Sequence, residues 1–113
     1  MTTLILHAPY GKARLGAKSF SAVLSTGIGD GYIITPRQLA ILRSASDVRV
    51  VVLDKNKGQR AEGLLVNLVM TTKTPRGKQR YDVYIRDLRP VGYSPETLNR
   101  YGVAVVHGGV TYR

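Results

Sequence analysis

The residues able to do chemistry in this chain are mostly cations. Seventeen Lys and Arg stand against seven Asp and Glu, a formal charge of +10 on 113 residues. Two stretches are basic and free of acids: one holds Lys12, Arg14 and Lys18, the other Lys73, Arg76, Lys78 and Arg80. Ammonium and guanidinium groups in such runs neutralise phosphates, and so large an excess on a small domain draws polyanions. Aromatic rings lie beside the first run. Tyr10 and Phe20 flank it, and Tyr32 follows the glycine-rich segment 26–32, whose Asp30 offers an acceptor for a base edge. Rings among cations let bases stack while phosphates are neutralised. If loops 9–20 and 27–32 meet over one end of a barrel, Tyr10, Phe20, Asp30 and Tyr32 form a pocket for an extruded base. In the alternative, each ring simply caps the barrel. Tyr84 is predicted to face outward beside Arg86, where it would stack a base or a guanidinium.

Signs of catalysis are sparse. The chain has no cysteine and two histidines, His7 and His107. That excludes thiolate metal sites, disulfides and cysteine nucleophiles. His107, followed by Gly108 and Gly109, is the best candidate base, but a lone histidine at a strand end is usually a turn residue. Asp54 and Glu62 flank a turn, where cross-strand pairing with Lys55 or Arg60 accounts for them. The acids are scattered rather than clustered as a metal-dependent nuclease requires. The glycines at 27, 29 and 31 lack the spacing of a dinucleotide fingerprint. The expectation is a binding protein rather than an enzyme, with no metal or cofactor. No run approaches the roughly 18 apolar residues that span a membrane. The N-terminus lacks a basic n-region, so a cytoplasmic protein is expected.

Strands must carry these residues. Within segment 48–53 the run 50–53 is apolar on both faces and reads as a central, doubly covered strand. Segments 59–72 and 79–88 continue it as an antiparallel meander, with Tyr81, Val83 and Ile85 on one face of the last strand. Gly63 allows a sharp bend or bulge in the long middle strand. The basic segment 72–80 is predicted to be a protruding flexible loop. Segment 20–25 reads as a short helix or a strand. Thr35 and Pro36 start a helix running to about residue 43, as N-cap and first-turn proline. Ser94, Pro95 and Glu96 start another. Short strands at 4–6 and 103–106 and a closing hairpin at 107–112 complete one domain, 1–113. The fold class is mostly β (α+β): a small antiparallel barrel with two short helices.

Residues 47–91 resemble PUA-like barrels, particularly the EVE/YTH-related branch. The likeness rests on a strand, the bent strand 63–69, and the run 81–90 that ends in Arg89-Pro90 before a Ser-initiated helix. The resemblance implies binding of RNA or of modified bases in DNA, including service as the specificity module of a modification-dependent restriction system. It also implies a base-binding pocket near Ser19, Phe20, Asp30 and Tyr32. The expected partner is therefore DNA or RNA, with no membrane partner, within a larger polypeptide or complex. The alternative is a basic assembly protein that docks on an acidic protein.

Overall fold

The computed structural model describes residues 1–8, 19–54, 57–92 and 102–113. Its elements are β1 (Thr2–His7), α1 (Phe20–Thr26), β2 (Ile28–Ile33), α2 (Pro36–Ser44), β3 (Val48–Asp54), β4 (Gln59–Lys73), β5 (Gln79–Val91), β6 (Val103–His107) and β7 (Val110–Tyr112). The strands form one curled seven-stranded sheet in the order β2-β5-β4-β3-β1-β6-β7. The fold is mostly β, as the residue pattern predicts, and the described residues hold two helices: α2 is the one expected after Thr35, and α1 settles segment 20–25 as a helix. The helix expected after Ser94 lies outside the described residues.

Strand β3 is fourth in the sheet and buried along nearly its whole length. Its two faces feed two cores. Val50 and Val52 join Leu4, Leu6 and Val105 beneath Phe20, Val23 and Leu42 of the helices. Val51 and Leu53 pack with Ile5 and Ala104 on the opposite face. An unbroken aliphatic run is thus a strand covered on both sides. The pairing of β1 with β3 is parallel, whereas the other ladders are antiparallel. Parallel neighbours need a crossover, and α1, β2 and α2 supply it.

Both helices are set by their caps. Ser19 Oγ accepts from Ala22 N, and α1 stops at Gly27 in the left-handed region (φ 71°). Thr35 Oγ1 accepts from Gln38 N while Gln38 Oε1 accepts from Thr35 N, closing a capping box with Pro36 at the first turn. Such a cap contributes about 1 kcal/mol. Leu42 is buried, with Leu39 and Ile41 packed beside it. Gln38 is the unexpected core residue: it is buried, and its Nε2 donates to Val103 O and Tyr112 O, tying α2 to β6 and β7.

The irregularity expected in the strand at Gly63 falls instead on its partner β5. Glu62 pairs with Arg89 but Leu64 pairs with Arg86, so β5 carries an extra residue there. Asp87, at φ 55°, absorbs it. A side chain at residue 63 would sit 2.7 Å from Arg86 O, which is why glycine stands opposite the bulge.

Candidate nucleic-acid interface

The β4–β5 hairpin positions the second basic run. The strands extend to Lys73 and from Gln79, so the predicted flexible loop 72–80 is instead a tight turn over 74–78. Its chemistry explains its order. Pro75 presets the turn's first central position, and Gly77 adopts φ 83°. Gly77 N donates to Thr74 O, Thr74 N to Lys78 O, and Lys78 N to Thr74 Oγ1. Lys73, Arg76 and Lys78 are exposed on this turn. Among the described residues none of the three makes an ion pair.

Arg80, expected to act with them, is partly engaged inside. Its Nη1 donates to Gly31 O at 2.9 Å, and Asp82 Oδ1 accepts from Gly31 N at 3.0 Å. The two side chains clamp the Gly31 peptide at the irregularity of β2 between Gly29 and Tyr32. Asp30 is half-buried beside this clamp.

Rings and cap land differently from the sequence expectation. Phe20 is 5% and Tyr32 1% exposed, both within the main core. The Tyr32 hydroxyl donates to His7 O. Rings buried to this degree offer no face to a base, so the packing of α1 and β2 overrides the expected stacking role. Ser19 is exposed and serves as the α1 N-cap. Tyr10, Lys12, Arg14 and Lys18 lie outside the described residues, as do Lys55 and Asn56. Tyr84 is half-buried and shares a sheet face with Arg86, through register partners Asn67 and Leu64.

A second group of cations lies around the bulge, near the other end of the hairpin. Arg49 and Arg60 both pair with Glu62, at 3.3 Å and 2.7 Å. Arg49 and Arg89 share a shallow cavity with Glu62 and Asp87. Carboxylates temper this group, whereas among the described residues no carboxylate pairs with the tip. His107 Nδ1 lies 2.7 Å from Thr2 Oγ1, its register partner across the β1–β6 ladder. Thr2 is buried, so the contact is a tie between strand ends rather than an accessible nucleophile and base. Among the described residues no group of His, Asp and Glu is placed to hold a metal ion, and no helix is long and apolar enough to cross a membrane.

Behind the tip a cleft of about 420 Å³ separates the first half of α2 from the hairpin. Ile33, Ile34, Leu39, Met70 and Tyr81 give it apolar walls, and Lys73 and Lys78 stand at the same opening. No sequence signal marked this cleft, because its walls come from four separated elements, β2, α2, β4 and β5. Comparison with protein-family models, with characterised proteins and with solved structures gave no match.

Proposed function

We propose that the protein is a non-catalytic nucleic-acid-binding module that grips the phosphate backbone with the β4–β5 turn. The observation behind this reading is the placement of Lys73, Arg76 and Lys78: exposed, unpaired with acids among the described residues, and carried on a hydrogen-bonded turn. Order matters because a preorganised donor set loses little entropy when it binds. The overall charge of +10 steers a polyanion toward the molecule before contact. The reading concerns backbone contact rather than a base cage, since Phe20 and Tyr32 are core residues. The resemblance to PUA-like barrels agrees with it and is not needed by it.

Fluorescence anisotropy with labelled single-stranded and duplex oligonucleotides, between about 50 mM and 200 mM salt, tests the proposal. Replacing Lys73, Arg76 and Lys78 together with Ala should weaken binding of every sequence alike. It should also flatten the log–log salt slope by about 2 to 3, at 0.7–0.9 per phosphate lost. An unchanged slope removes the turn as the contact. If only acidic protein surfaces, and no oligonucleotide, bind with salt sensitivity, the assembly-protein reading replaces this one.

A further inference from the structure

We propose that the trough between α2 and the free edge of β4 binds an extended peptide of another protein as an added strand. The peptide would be apolar at positions four apart and acidic at its ends. Strand β3 pairs with β4 only as far as Leu64, yet β4 continues to Lys73. Among the described residues no strand pairs with that side of β4 over 65–73. One side chain meets part of the demand: Asn67 Oδ1 accepts from Leu68 N. The rest of the edge is a template for strand addition.

Two irregularities, at 65–67 and 70–73, interrupt this edge, yet among the described residues it is the longest stretch of strand edge left open. Strand β2 is irregular and clamped at Gly31, and β7 is only three residues long. Residues 65–72 contain no charge, no glycine and no proline. Val66 and Met70 on this stretch are 59% and 61% exposed. An uncharged, β-branched edge that no described strand covers is an aggregation hazard unless a partner occupies it.

Helix α2 supplies the second wall and selects the occupant. It runs antiparallel to β4: Pro36 and Leu39 face the cleft shared with Met70, while Leu42 and Arg43 line a cavity of about 180 Å³ with residues 65–68. A strand laid on the β4 edge sends alternate side chains toward α2. The two cavities are offset by about four residues of strand, roughly 13 Å. One end of the trough carries Arg43 and the other Lys73 and Lys78, which favours acids at the peptide's ends. Backbone donors and acceptors beside an apolar cleft and a smaller cavity of mixed lining match a peptide and have no counterpart in a phosphate chain. Lys73 and Lys78 are common to this trough and the turn, so an acidic peptide competes in part with nucleic acid.

The test is a random decapeptide display library selected on the full chain. Enriched peptides are expected to converge on two apolar residues four apart with Asp or Glu outside them. For a synthetic peptide of that sequence, calorimetry should show affinity falling about tenfold or more when one alternate set of its amides is N-methylated. Methylating the other set should change little. Val66→Glu with Met70→Glu should also lower affinity about tenfold, with the circular dichroism spectrum of the chain unchanged. Lack of convergence, or equal tolerance of both methylated sets, overturns the proposal. The methylation arm uses the unsubstituted chain and reads out even where the double variant misfolds. Nucleic-acid affinity is unaffected by either failure, so this proposal and the one above stand or fall separately.

Discussion

Substituting Gly63 with Ala tests whether the bulge shapes the hairpin. The new Cβ would lie 2.7 Å from Arg86 O, 2.7 Å from Ile85 Cγ2 and 3.1 Å from Leu88 Cα. The first and third of these atoms are backbone, so they yield only if β5 moves. Moving β5 disturbs Asp87, already at φ 55°, and Ile85, whose N–H donates to Gly27 O at 2.7 Å. Forcing a methyl group into such a site costs about 1–3 kcal/mol. For a domain of this size the melting temperature should fall by roughly 4–12 °C, at about 4 °C per kcal/mol. Urea unfolding of the parent and variant, with the slope checked for equality, gives the free-energy difference directly. Asp87→Val is the companion variant, since a β-branched residue in the left-handed region costs about 1–2 kcal/mol. A loss below about 0.5 kcal/mol for Gly63→Ala, within the range of an ordinary surface substitution, refutes the claim that the approach of Arg86 O requires glycine.

Gln38→Leu keeps the volume of the side chain but leaves Val103 O and Tyr112 O without their donor. It should cost about 2–4 kcal/mol by chemical denaturation, and a cost under about 1 kcal/mol would show that α2 is held by apolar packing alone. Tyr32→Phe deletes the hydroxyl that donates to the buried His7 O and should cost about 1–2 kcal/mol. Nucleic-acid affinity should be unchanged, which separates a core ring from a stacking ring. Arg80→Met releases Gly31 O and should raise amide exchange around Gly31 before it changes the affinity for oligonucleotides. If affinity falls as much as for the Lys73, Arg76 and Lys78 variant, Arg80 belongs to the interface after all.

The sheet was legible where one residue pattern sufficed. The aliphatic run at 50–53 demanded cover on both faces and has it. The caps at Thr35 and Pro36 are local signals read correctly from a few residues, whereas the bulge expected in the strand of Gly63 sits opposite it on β5. What the chain order hid was pairing at a distance. Nothing in residues 2–7 announces that β1 lies parallel to β3, because that depends on how 20–44 cross over. Phe20 and Tyr32 border basic or glycine-rich segments in sequence and are core residues in space, since α1 and β2 fold their apolar sides onto the sheet. Gln38 reads as a polar helix residue, and only the approach of β6 and β7 makes it a buried tie.

Charge shows the same division more sharply. Counting cations could not say which ones the fold consumes. Arg49 and Arg60 share Glu62, and Arg80 with Asp82 holds the Gly31 peptide. These cations have structural occupations, and removing their charge acts first on stability. Lys73, Arg76 and Lys78 have none among the described residues, yet their turn is closed by its own hydrogen bonds. A hairpin tip can be ordered with any exposed polar residues at those positions, so the three charges add nothing that the turn itself needs. Mutual repulsion among them is a cost, small in water and screened by salt. An external anion relieves it. Removing the three charges should therefore leave the melting temperature equal or slightly higher at low salt, while polyanion affinity falls. A parallel loss of stability would mean the turn needs its cations for its own shape, and the case for an anionic partner at the tip would fail with it.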